Sequence, residues 1–185
     1  MLERGHILKI LKKTLEALQT KDYVEIKSLS NKIIHQASIE QDPDIVSLAV
    51  IIYSLSKLIE RETYKTEKNW NSFYKAFIQN IQDMIHALEK NDIDDFREEV
   101  NQNRKLIQNL SGKLKSFIQD VFRKSQVNKA SKIYEHGISM ETTAKILGIT
   151  VWELAEYVGS KVEKNGFTST IPIRNRIKLV EEVFQ

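Results

Sequence analysis

Apolar residues recur along most of the chain at three- and four-residue steps, the spacing of amphipathic helices rather than the alternation of strands. Ile7, Leu8, Leu11, Leu15 and Leu18 mark one such face over residues 2–19, and Ile26, Leu29, Ile33, Ile34 and Ala37 mark another over 22–40. Lys21-Asp22 turns the chain between them. Gln41-Asp42-Pro43-Asp44 is a restart, because Asp42 can cap a helix and Pro43 suits a first helical position, where no amide donor is needed. The helix that follows, 43–62, is apolar nearly all round, which predicts a central, buried element. After a polar stretch over 62–69, Trp70, Phe73, Tyr74, Phe77, Ile78, Ile81, Ile85 and Leu88 predict a fourth helix. Asn91-Asp92 turns into a fifth over about 93–110, with Asp92 or Asp94 as its cap. Ser111-Gly112 interrupts the pattern before Leu114, Phe117, Ile118, Val121 and Phe122 carry a further helix towards Ser125.

Two stretches resemble each other. Leu15-Glu16-Ala17-Leu18-Gln19-Thr20-Lys21-Asp22 aligns with Ile85-His86-Ala87-Leu88-Glu89-Lys90-Asn91-Asp92 at an offset of 70, which also places Asn31 on Asn101. Helical hairpins often look alike, and a duplicated three-helix unit is the sharper alternative.

Residues 126–159 have a different rhythm. A helix stops at His136-Gly137, Ser139 stands where a cap belongs, a short helix runs 140–147 to Gly148, and Thr150 caps another. A helix-turn-helix requires a small residue where its helices cross, a turn-tolerant residue four positions later, and apolar residues bracketing both. Ala144 and Gly148 meet the first two needs, and Thr143, Leu147, Ile149, Leu154 and Val158 largely meet the third. Thr150, Val151, Trp152, Glu153 and Glu156 are the expected outward positions of the second helix. None is a usual reader of base edges, and the two acids would repel phosphate. Trp152 could instead anchor a protein partner.

The segment Ala130-Ser131-Lys132-Ile133-Tyr134-Glu135-His136-Gly137-Ile138-Ser139, continued by Thr143-Ala144-Lys145-Ile146-Leu147-Gly148-Ile149-Thr150-Val151-Trp152-Glu153-Leu154, resembles the helix-turn-helix of small archaeal and bacterial antitoxin-like proteins. Gly148-Ile149-Thr150-Val151-Trp152-Glu153 is its most characteristic part. The resemblance covers about 30 residues and implies DNA binding, or pairing with a ribonuclease toxin of the PIN-domain type. A second likeness lies in Ser30-Asn31-Lys32-Ile33-Ile34-His35, which resembles the Arg-Asn-x-x-x-His motif of HEPN-type helical ribonucleases. In that motif the basic residue binds phosphate and the histidine does acid–base chemistry; here Ser30 occupies the arginine position. The alternative is a polar pair at a helix interface.

Composition narrows the picture. The chain has 185 residues, no cysteine, six glycines and two prolines, so thiolate metal sites and disulfides are excluded and turn-rich β architectures are disfavoured. Its net charge of +3 is small for a nucleic-acid-binding protein, so phosphate contact must come from a local patch. Lys129, Lys132, Lys145 and the tail cations Arg174, Arg176 and Lys178 are the candidates, beside Thr150 and Trp152. Lys161–Lys178 carries five basic residues against Glu163. Ile173, Ile177, Val180 and Phe184 form one side of a short tail helix. Trp152, Ile173, Ile177 and Phe184 are the candidate partner-binding residues.

His6, His35, His86 and His136 show no ligand spacing, and no phosphate-binding glycine loop or nucleophile motif is present, so no metal or cofactor is expected. The Trp70/Phe73/Tyr74/Phe77 group reads as core. The expectation is therefore an all-α, cytoplasmic, non-membrane protein: an N-terminal helical bundle over 1–125, a helix-turn-helix module over 126–160, and a basic tail over 161–185. Its expected role is that of a prokaryotic DNA-binding regulator or antitoxin-like protein without enzymatic activity, with homodimerisation as an option. The alternatives are a protein-interaction scaffold and a divergent HEPN-like nuclease.

Overall fold

A computed structural model describes residues 4–40, 42–61, 65–110 and 112–165. All secondary structure among them is helical: α1 (Arg4–Gln19), α2 (Tyr23–Glu40), α3 (Pro43–Glu60), α4 (Trp70–Lys90), α5 (Ile93–Gln108), α6 (Gly112–Glu135), α7 (Met140–Leu147) and α8 (Val151–Asn165). The all-α expectation holds. The tail residues Arg174, Arg176, Lys178, Ile173, Ile177 and Phe184 lie outside the described residues.

The centre is α3, as its all-round apolar surface predicts. Asp42 starts it by accepting hydrogen bonds from the amides of Asp44 (2.9 Å) and Ile45 (3.4 Å), with Pro43 in the first turn. Every residue from Leu48 to Ser56 is buried, and α3 packs against α2, α5, α6 and α7. One continuous apolar core runs from Ile7 in α1 to Leu154 in α8, with Phe77 and Phe96 among its largest fully buried side chains.

The two stretches that align at an offset of 70 build the same turn. Lys21 and Asn91 adopt left-handed backbone (φ 55° and 62°), and the amides of Asp22 and Asp92 donate back to the carbonyls of Ala17 (2.8 Å) and Ala87 (2.9 Å). Each aspartate then caps the next helix through the amide three residues on, Glu25 or Asp95, at 2.9 Å in both cases. Moreover, α1 lies against α4 and α3 against α6, so like helices of the two three-helix runs meet. The likeness ends at Asn101, which donates to the Arg97 carbonyl within its own helix (3.1 Å), whereas Asn31 reaches across to another helix.

Helix α6 is unbroken across residues 125 and 126, where the sequence suggests a change of module. Leu114, Ile118 and Val121 on its first half and Ala130 and Ile133 on its second are all buried in the same core.

Candidate functional site

The C-terminal half of α6 carries α7 and α8, and local chemistry fixes both. Ser139 accepts from the Thr142 amide at 3.1 Å and starts α7. Gly148 ends it at φ 62°, and the next amide, Ile149, donates to the Ala144 carbonyl at 3.0 Å. Thr150 and Glu153 form a reciprocal cap at the start of α8. The Glu153 carboxylate accepts from the Thr150 amide (2.9 Å), and the Thr150 hydroxyl accepts from the Glu153 amide (3.1 Å). Thr143, Ala144, Leu147, Ile149 and Leu154 are buried between the helices and α6.

Glu153 is half-exposed, but its carboxylate is committed to partners within the fold. Arg123 of α6 holds its carboxylate with a two-pronged contact (2.6 Å to each oxygen from one nitrogen) and donates to the Gly148 carbonyl at 3.1 Å. These partners, led by the Thr150 amide and then the Arg123 guanidinium, hold the Glu153 carboxyl down at about 2. The guanidinium thus ties the turn, the start of α8 and α6 together. What remains outward on the first turns of α8 is Val151, Trp152 and Glu156, with Lys145 exposed on α7. Trp152 is 85% exposed, a rare state for a tryptophan in a folded chain. Thr150 is exposed, with its hydroxyl committed to the cap.

The cations predicted to meet phosphate divide sharply. Lys145 is exposed. Lys132 is half-buried and paired with Glu135 at 2.8 Å, which also takes Lys161 at 2.6 Å. Lys129 corrects the sequence reading: it is wholly buried and meets no solvent. Its amine donates to the Asn31 side-chain oxygen of α2 at 2.7 Å and stands 4.2 Å above the ring of Tyr53 on α3. Among the described residues no carboxylate pairs with it. Burial, reinforced by Lys132 and Lys27, pulls its ammonium down to about 7. A helix face that buries one lysine among Ala130, Ile133 and Val121 reads as outward in sequence because lysine is rarely fully buried without a partner.

No protein-family model, curated protein or solved structure matches the chain.

Asn31 and His35 meet a different environment from that of the ribonuclease motif. Ser30 is buried and donates to the Ala49 carbonyl at 2.7 Å. Asn31 accepts from Lys129, so the Asn31–Lys129 bond serves the α2–α6 interface. His35 stacks edge-on with His136 from the end of α6, with ring centroids 5.0 Å apart. A separation of 101 positions hides this histidine pair from the sequence. Among the described residues, no group of three histidines, aspartates or glutamates could hold a metal ion. No helix among them is long and apolar enough to cross a membrane.

Proposed function

We propose that the chain is a helix-turn-helix regulatory protein of the antitoxin-like kind, with α7 and α8 as its helix pair and the start of α8 as its DNA-contacting element. The observation that carries this reading is the Arg123–Glu153–Thr150 clamp. It ties the turn to α8 and offsets, with the Arg123 guanidinium, the charge of the acid at the start of that helix. The outward set is then Lys145 for the backbone and Val151 and Trp152 for base edges. Apolar side chains in a major groove read the C5-methyl of thymine. The tail cations Arg174, Arg176 and Lys178 supply further phosphate contact in this reading.

The test is anisotropy titration of the intact chain against a randomised duplex pool, followed by selection. Binding should be salt-dependent, Trp152→Ala should weaken the selected sequence more than bulk DNA, and replacing its thymines by uracil should have a similar effect. Reversing the charge of Arg174 and Arg176 should flatten the salt slope by about two if both touch phosphate. Absence of DNA binding at low salt refutes the proposal.

The exposure of Trp152 favours a second reading. No exposed residue over Val151–Ser160 is Lys, Arg, Asn or Gln, so α8 would dock on a protein, such as a ribonuclease toxin, with Trp152 as anchor. Trp70 is buried, so Trp152 dominates the solvent-exposed fluorescence. A shift of that emission with a toxin partner, in the absence of DNA binding, selects this reading.

A further inference from the structure

We infer that the cleft between α3, α6 and α8 is a binding site for a small phosphate monoester of nucleotide size. The cleft has a volume of about 370 Å³ and is lined by Tyr53 and Lys57 of α3, Arg61 just after it, Lys124 and Asn128 of α6, and Tyr157 of α8, among others. Three of these side chains are cationic and none is acidic. Lys57 and Lys124 keep one-to-one pairs with Glu60 (2.5 Å) and Asp120 (2.7 Å), neither of which lines the cleft. A phosphate dianion brings enough charge to draw a paired lysine towards it.

The second observation lies at the floor. Tyr53 is only 8% exposed overall and lines the cleft. The Lys129 nitrogen is 4.2 Å and the Lys57 nitrogen 5.8 Å from its ring centroid. A cation on the face of a phenol withdraws electron density and makes its O–H a stronger donor. Across the cleft, the Tyr157 oxygen accepts from the Asn128 amide at 2.9 Å, which leaves the Tyr157 O–H proton free to donate elsewhere. Two phenol donors and three cations therefore surround one recess. They match the acceptor-only oxygens of a phosphate, and a monoester dianion better than a singly charged diester.

A second groove of about 440 Å³ shares Lys124 and Tyr157 with the cleft; there Val127 and Tyr157 offer apolar surface, Arg123 is engaged by Glu153, and Glu156 adds a further acid. This arrangement suits a phosphate at the cationic end and an uncharged organic group beside Tyr157. A cleft of about 370 Å³ also suits a small molecule better than a nucleic-acid strand. The site stands on its own geometry and does not depend on the DNA-binding reading.

The experiment is calorimetric titration of the intact chain, without DNA, with adenosine 5′-monophosphate, adenosine, inorganic phosphate and a short oligothymidylate without a terminal phosphate. The monophosphate should bind saturably, adenosine should not, and inorganic phosphate should compete. Tyr53→Phe keeps the ring and its packing, so it should preserve the thermal midpoint and weaken the monophosphate about tenfold, the usual worth of a hydrogen bond to a charged group. Lys124→Gln should weaken it as well. Three outcomes overturn the inference: no saturable binding of the monophosphate, binding that a folded Tyr53→Phe variant leaves unchanged, or oligothymidylate binding that Tyr53→Phe abolishes equally.

Discussion

Replacing Lys129 by methionine should make the protein more stable at neutral pH and remove part of its pH dependence. The ammonium is wholly buried, faces no carboxylate among the described residues, and is pulled down to about 7 by burial first and by Lys132 and Lys27 next. Below about pH 7 the lysine is protonated in both the folded and the unfolded chain, so folding carries the full cost of burying the charge. Between about pH 7 and the ordinary lysine value of 10.5 the folded chain holds a neutral amine while the unfolded chain keeps its proton. Unfolding then takes up a proton, and stability rises with pH. A shift of this size amounts to about 5 kcal/mol in full, at 1.36 kcal/mol per pH unit, and yields about 2 kcal/mol between pH 7 and pH 9. Methionine matches the volume of the lysine stem and never titrates. It forfeits the hydrogen bond to Asn31, worth about 1 kcal/mol, but Asn31 is exposed and water can replace that donor. Urea unfolding of both forms at pH 6, 7, 8 and 9 checks the argument. The methionine variant should lead by a few kcal/mol at pH 6 and its lead should shrink steadily above pH 7. A variant less stable than wild type at pH 6, or a difference that stays flat to pH 9, would refute the reasoning.

Ala144 is buried where α7 meets its neighbours, so Ala144→Glu should cost several kcal/mol; calorimetry and amide exchange over α7 and α8 would show it. The Glu153 carboxyl is held from its ordinary value of 4.5 down to about 2, so its cap on α8 is complete above pH 4.5 and is lost as pH falls towards 2; exchange of the α8 amides should accelerate over that window in wild type and less so in Glu153→Gln. Any RNA cleavage should stay at background in wild type and His35→Ala alike, because Ser30 and Lys129 are both buried away from a substrate phosphate; His35-dependent cleavage of a labelled RNA would contradict this.

Helix positions were legible because they rest on short-range signals: the four-residue apolar rhythm, Asp42-Pro43, Asp92, Ser139, Gly148. Each is a local cap or stop whose partner lies within a few residues, and the structure uses all of them. The candidate site was legible only in outline, for the opposite reason. Lys129 meets Asn31 across 98 positions and Arg123 meets Glu153 across 30, so periodicity along one helix cannot say that one cation is buried and one acid is paired. The Tyr53 cleft gave no signal at all, since a tyrosine within an apolar helix reads as core. Its chemistry depends on the cations and the second tyrosine that packing brings beside it.

The unbroken run of α6 has a consequence for how such a protein can change over generations. At 1.5 Å per residue its 24 residues make a rod of about 36 Å. One end is built into the bundle and the other bears the pair α7 and α8. Two neighbouring pieces joined by a slack tether can be swapped, lost or reshuffled separately, but pieces that share a strut cannot. An insertion or deletion of a single residue near Ser125 would rotate everything beyond it by about 100° around the rod and swing Ala130 and Ile133 out of the core. Drift in this chain is therefore confined to substitutions along the rod and to length changes in the turns, and whatever α8 recognises must have been acquired on a platform of fixed bearing.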